Sequence, residues 1–244
     1  GLGHNVFNPA MVGFALLILS FPLAMSQWPV IDSTGPDIAV LIQIKLGLLA
    51  VPDGITAATP LDIVKFRGSQ TIDEVWLPKY GFNSLAGVGW GWISVAFLLG
   101  GLYLLKNRVI QYHAPASLLL TLTLLSIFFY DSGSSDSLGS PLLHLFSCST
   151  MFAAFFIVTD PVSSPSGAAG QIIFGAGVGI ITFIIRTAGA YPEGIAFAIL
   201  LIFHALIVLI RCLYWCRCNL GFIVLDFIFL LLCTSFLSMV WMIP

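Results

Sequence analysis

The chain has 244 residues, of which 59% are hydrophobic and only 8% charged, whereas a soluble domain carries roughly 25% charged residues because water must solvate its surface. Nine basic residues stand against 11 acidic ones, a net charge of −2 with no basic run, which argues against a nucleic-acid surface or a polybasic lipid-binding segment. Most of this surface calls for a bilayer as its solvent: a hydrocarbon core about 30 Å thick needs roughly 20 apolar residues at a helical rise of 1.5 Å.

The chain opens at Gly1 with neither a methionine nor a charged stretch leading to a cleavage site, and so reads as a fragment of a longer chain. Apolar stretches run over residues 9–27, 86–105, 111–130, 141–159, 168–186, 194–210 and 220–243. They predict an all-α fold, a polytopic transmembrane helix bundle of about seven spans forming one membrane domain over residues 1–244, with a long extramembrane loop at 28–85. At the head of the first span, Asn8-Pro9-Ala10 fits an N-cap asparagine followed by proline in the first helical turn. The tripeptide also resembles the pore signature of aquaporins, but those need two copies and this chain has one. Pro22 is expected to kink the span.

The loop holds Asp32, Asp37, Lys45, Asp53, Asp62, Lys65, Arg67, Asp73, Glu74 and Lys79. Its apolar stretch Ile38–Val51 is too short to span; alternation allows a strand, and an interfacial helix fits equally well. A loop this long in a compact bundle is usually functional, so the chemistry is expected there or where the loop meets the helices. Within it, Asp53-Gly54-Ile55-Thr56-Ala57-Ala58-Thr59-Pro60-Leu61-Asp62 reads as a turn with polar caps leading into a helix. The small residues on both sides of Thr59 are expected to leave its hydroxyl accessible.

Lys106 and Arg108 follow the second span, and Arg211 with Arg217 the sixth; these connections are expected to be cytoplasmic. The 28–85 loop and the 131–140 connection, with Asp131 and Asp136, then fall on the opposite face. Arg186 dissents from this count, lying on the outer side near Glu193. Asp160 closes the fourth span before Pro161, as a helix terminator or as an intramembrane functional group. His144 and His204 have no partner at helical spacing and read as hydrogen-bonded packing residues. Gly170, Gly175, Gly177 and Gly179 allow close helix approach or access to a flat ring. Five cysteines, none in the long loop, give no disulfide framework, and Cys212, Cys216 and Cys218 are too few for a zinc site, so no metal is assigned.

Four ordered blocks carry a resemblance. Asp53 to Thr59 resembles the D-x-x-[S/T]-[G/A]-A-[S/T] motif at which a flavin transferase attaches FMN, through its phosphate, to the last threonine. Gly1-Leu2-Gly3-His4-Asn5-Val6-Phe7-Asn8-Pro9-Ala10-Met11, the stretch Thr150 to Ser163 with Ile173 to Gly177, and Arg186-Thr187 through Tyr191-Pro192-Glu193-Gly194 are similar to the other signatures of the RnfD/NqrB family. The likeness covers roughly residues 1–201 and favours the RnfD branch. Cys148-Ser149 stands where the family has a Gly-Gly pair, and residues 202–244 form a divergent tail. The resemblance implies a bacterial inner-membrane electron-relay subunit of an Rnf complex, which passes electrons between ferredoxin and NAD and couples them to sodium or proton movement. It implies covalent FMN on Thr59, with Asp53, Thr56, Ala57 and Ala58 as the rest of the attachment site, and no acid/base catalytic residue. A second, noncovalent flavin is an analogy with no residues to fix it. Implied partners are the other Rnf subunits and the flavin transferase, with the loop on the periplasmic side. The alternatives are an NqrB-like subunit of a sodium-pumping quinone reductase, or a small-solute channel or transporter without redox chemistry.

Overall fold

The computed structural model describes residues 8–26, 28–29, 38–49, 56–68, 70–71, 74, 90–131, 137–147, 149–189, 191 and 193–214. The expected span at 220–243, the start of the one at 86–105, Asp53, Cys148, Cys216, Cys218 and Arg217 lie outside them. Ten helices carry the described chain: α1 Pro9–Ser20, α2 Pro22–Met25, α3 Ile38–Lys45, α4 Pro60–Lys65, α5 Trp90–Lys106, α6 His113–Phe128, α7 Pro141–Phe146, α8 Thr150–Phe152, α9 Ala168–Ala188 and α10 Ile195–Tyr214. A two-residue antiparallel ladder joins β1, Trp28–Pro29, to β2, Thr56–Ala57. The fold is all-α apart from this clip.

The surface is that of a protein with an apolar solvent. Leu16, Leu17 and Leu19 of α1, Leu99 and Leu102 of α5, Leu120 and Leu124 of α6, and Ile172, Ile173, Ile180 and Ile184 of α9 are exposed, while Ser94, Ser126, Thr150, Thr182 and Arg186 are buried. Helix α9 is long and apolar enough to cross a membrane, with a mean hydropathy of 2.0, and α1, α5 and α6 are shorter apolar helices. The core gathers Met11, Ala15 and Ile18 of α1, Leu118 of α6, Phe174 and Val178 of α9, and Ala198 and Phe203 of α10. Its most extensive contact is α6 on α9. The α9 glycines serve helix approach: a Cβ at Gly179 would stand 3.0 Å from the Leu118 carbonyl oxygen, and one at Gly177 would run into Ile202.

Local chemistry explains the boundaries. Asn8 caps α1 by accepting from the amides of Ala10 at 3.0 Å and Met11 at 3.3 Å, with Pro9 at the first helical position. Pro22 breaks rather than bends the first span: Phe21 leaves helical geometry at φ −133°, ψ 58°, and α2 starts at the proline. Helix, not strand, is the outcome for residues 38–45, ended by Gly47 at φ 71°, where the Leu48 amide returns to the Gln43 carbonyl at 2.9 Å.

The expected span 141–159 is broken. Ser147 turns extended at ψ 141°, and the chain restarts at Thr150 and passes into a π-helical turn, Ala153–Ile157. The break frees the His144 carbonyl, which accepts from Arg186 Nη1 at 2.8 Å and Thr150 Oγ1 at 2.9 Å. Arg186 is therefore not an orienting surface charge but the buried donor that satisfies a broken helix from α9, its Nη2 also donating to Thr150 Oγ1 at 2.7 Å. His144 packs as expected: its Nε2 lies 2.9 Å from the Leu138 carbonyl and its ring rests against Phe183. Asp160 also proves a terminator, accepting from the amide and hydroxyl of Ser163 at 3.2 and 2.6 Å.

The α4 segment of the long loop meets residues 137–140 and the end of α9 at one end of the bundle. Lys65 of α4 donates to the carbonyls of Ile185, at the end of α9, and Tyr191, and Arg67 donates to the Ser137 carbonyl at 2.6 Å. The N-terminus of α1 lies at the other end, where Asn8 Nδ2 donates to Ser163 Oγ at 3.4 Å. The grouping of residues 28–85 with 131–140, deduced from charge, agrees with these contacts.

Candidate functional site

Thr59 sits where the loop enters the bundle. The β1–β2 ladder, pairing Trp28 with Ala57 and Pro29 with Thr56, holds the strand that leads into it. Pro60 then fixes the first position of α4, and Thr59 becomes its N-cap at φ −67°, ψ 160°. Its Oγ1 accepts from the Asp62 amide at 3.2 Å and donates to Asp62 Oδ2 at 2.6 Å, while its own amide donates to the same Oδ2 at 2.9 Å. This is a capping box with aspartate in the place of the usual glutamate.

The small flanking residues do not leave Thr59 open. It is 2% exposed, because Pro60 and Leu61 bury the start of α4 against the bundle. Ala58 is exposed, Thr56 and Ala57 form β2, and Asp53 lies outside the described residues. The structure thus brings Thr59 together with the ladder, and gives Asp62, the last residue of the stretch read as a polar-capped turn leading into a helix, the closest hold on its hydroxyl.

Thr59 lines the edge of a cavity of about 280 Å³ between α1, β1, α5, α8 and the start of α10. Its walls are aromatic: Phe14, Trp28, Trp90, Phe97 and Phe152. The two indoles meet edge to face at 5.6 Å, and Phe97 lies 5.0 Å from Phe152. The polar atoms of the lining come from Thr59, Ser149 and Glu193. Glu193 Oε2 accepts from Ser149 Oγ at 2.6 Å and Oε1 from the Ser149 amide at 3.2 Å. Burial raises the Glu193 carboxyl to about 7, the Ser149 amide opposing and the charge of Asp62 reinforcing the rise. Burial likewise lowers Lys65 to about 8, against the pull of Asp62 and with the push of Arg186.

The description "NQR2, RnfD, RnfE family" matches residues 1–213. The chain belongs to this family. It is 48% identical over 201 residues to the D subunit of the ion-translocating oxidoreductase complex of Pseudomonas paraeruginosa (strain DSM 24068 / PA7), covering 82% of this chain and 58% of that one. It is 42% identical over 217 residues to the protein of the same name from Salmonella typhi, covering 82% and 61%. The Klebsiella pneumoniae (strain 342) protein of that name is 42% identical over 225 residues, with 82% and 62% covered. The chain therefore spans about 60% of the length of these relatives.

Sequence reasoning singled out Thr59 but passed over the cavity beside it. Trp28 opens the loop and Trp90 starts α5 beyond it, 62 positions apart, and no spacing rule joins them. Glu193 stood within a quoted block and as a neighbour of Arg186, and Ser149 only as a departure from Gly-Gly. The available sign was a carboxylate beside a helix start in an apolar chain.

The residues present fit a flavin. The aromatic walls offer faces for a flat ring, and an aromatic cavity with few polar groups is the usual form of a cofactor site. Thr59 stands in the lining, with its hydroxyl bonded to Asp62.

Proposed function

We propose that this chain is an electron-relay subunit of an ion-translocating oxidoreductase complex and carries FMN covalently, through its phosphate, on Thr59. The observation that carries the reading is the position of Thr59: the last residue of the flavin-attachment motif lies at the edge of an aromatic cavity. Relatives named as the D subunit of such a complex support the class. The flavin would supply the electron-transfer chemistry, and the protein its position and its shelter from water. Trp28, Trp90, Phe97 and Phe152 would hold the ring, while Thr59 is an anchor and not an acid or base. The RnfD likeness favours electron flow between ferredoxin and NAD through partner subunits, with the Thr59 end of the bundle on the periplasmic face of the inner membrane.

The buried hydroxyl adds a condition. Phosphoester formation needs the Thr59 oxygen as nucleophile, and in the folded chain Thr59 is 2% exposed and its hydroxyl is bonded to Asp62. A flavin transferase therefore has to act while α4 is undocked, before Lys65 anchors it to Ile185 and Tyr191.

In-gel flavin fluorescence of the denatured chain, co-expressed with the transferase, tests the reading. A fluorescent band that disappears in Thr59→Val establishes attachment there. No band in either, with the transferase labelling a known substrate, sinks the flavin reading and favours a channel. A band without ferredoxin-dependent reduction, but with quinone-dependent reoxidation in the assembled complex, favours the NqrB-like alternative.

A further inference from the structure

The cavity contains a group that an anchored flavin does not require. Glu193 reaches its wall from the short connection between α9 and α10, and its carboxylate is fixed there by the amide and hydroxyl of Ser149. Neither contact carries charge. Lys65 turns its ammonium to the carbonyls of Ile185 and Tyr191, and Arg186 turns its guanidinium to His144 and Thr150. Among the described residues no cation pairs with Glu193, and the charge that acts on it is another carboxylate, Asp62 of α4. On the remaining walls, the described residues from α1, β1, α5 and α8 contribute no titratable group. An ionised carboxylate at an apolar cavity without a counter-charge is costly, and a proton removes the cost.

We propose that Glu193 is a proton-exchanging site on the wall of the Thr59 cavity, taking up a proton from water when negative charge builds up on the cavity's occupant. The inference rests on the flavin reading for the nature of the occupant, but the proton site itself is a property of the unloaded chain. An O–H bond of a hydronium ion breaks as one forms on a Glu193 oxygen, leaving water, and the proton returns to water when the negative charge leaves. Burial sets the carboxyl near neutrality, so a modest change of charge in the cavity is enough to move its proton. The Ser149 amide opposes the rise, and the Ser149 hydroxyl donates to the second carboxylate oxygen; both bonds favour the ionised form and keep the site from staying protonated.

Two measurements on the full chain test this. The first is infrared titration of the unloaded protein, made without the transferase. The carbonyl stretch of a protonated carboxyl should disappear with a midpoint near neutrality, be missing in Glu193→Gln, and move to higher pH in Ser149→Ala. A spectrum in which Glu193→Gln removes no band titrating near neutrality overturns the proposal. The second is potentiometry of the flavin-loaded protein, reduced with dithionite at a series of pH values. The midpoint should change with pH around neutrality in the wild type and lose that segment in Glu193→Gln; identical profiles overturn the coupling to the occupant. A chain that shows the infrared band but never acquires covalent flavin refutes the attachment at Thr59 and leaves the proton site standing.

Discussion

Gly175→Ala is the substitution whose cost the structure defines most sharply. A Cβ built at Gly175 would lie under 3.0 Å from both the Ala114 carbonyl oxygen and Ser117 Oγ, with the Ala114 carbonyl carbon at 3.2 Å. Ser117 can rotate away, although its hydroxyl would leave the Ala114 carbonyl at 3.0 Å. The carbonyl oxygen cannot move without α6. Relief requires the two helices to part by on the order of 1 Å, which loosens the closest-packed contact of the bundle and the Gly179 approach beside it. Overpacking of this kind costs about 1–3 kcal/mol. The control is Gly13→Ala on α1, where a Cβ meets nothing within 4 Å and helix propensity favours alanine by roughly 0.5–1 kcal/mol. Thermal unfolding in detergent, followed by tryptophan fluorescence, should place Gly175→Ala roughly 2–12 °C below the wild type and Gly13→Ala at or slightly above it. Equal melting temperatures for the two variants would refute the α6–α9 packing.

Replacing Lys65 by Met removes the bonds to the Ile185 and Tyr191 carbonyls; limited proteolysis of the 66–89 segment should accelerate, and unchanged rates would show that α4 is held otherwise. Arg186→Lys leaves the His144 carbonyl and Thr150 without their shared fork, which should cost about 1–3 kcal/mol in thermal unfolding. Asp62→Ala removes both acceptor bonds from Thr59 and should destabilise α4 by about 1 kcal/mol, read as faster hydrogen exchange over residues 60–65. Glu193 gives the pH dependence. Its folded carboxyl titrates at about 7 against 4.5 when free, so the folded chain binds more protons between these values and stability falls as pH rises through them. The loss is about 3 kcal/mol at roughly 1.4 kcal/mol per pH unit. Glu193→Gln should flatten the melting-temperature profile across that window, and a profile that keeps its slope would place the titrating group elsewhere.

The elements legible in the sequence were those set by local chemistry. Asn8-Pro9 announces a capped helix start, and the helix begins there. Charge in the connections grouped the long loop with residues 131–140, and Arg67 and Ser137 meet. What stayed hidden depends on tertiary contact. The 141–159 stretch carries Ser147-Cys148-Ser149-Thr150 at the break, a polar cluster that its apolar flanks led to be read through as one span; the break is tolerated because Arg186, 42 positions after His144, donates to the freed carbonyl. The same distance effect misread Arg186 as a surface charge. Thr59 looked accessible because small neighbours suggest an open turn, but its exposure is decided by α4 docking on the bundle. The cavity could not be read at all, since its walls come from residues separated by up to 185 positions, from Met11 to Ala196.

On the flavin proposal, Thr59 would have two duties that compete for one oxygen. As a free residue it donates Oγ1–H to Asp62 Oδ2 and accepts from the Asp62 amide. A phosphoester at Oγ1 removes the proton, so the first bond is lost and the Asp62 carboxylate faces an added phosphate charge. The Thr59 amide still donates to Oδ2, and half the capping box survives. Attachment would therefore exchange part of the hold on α4 for contacts made by the flavin, and would add negative charge to the cavity that Glu193 lines. The carboxyl that Asp62 already raises is the one group on the cavity wall among the described residues able to answer that charge with a proton. Anchor, cap and proton site thus form one electrostatic unit, and a change at any of the three should register at the other two.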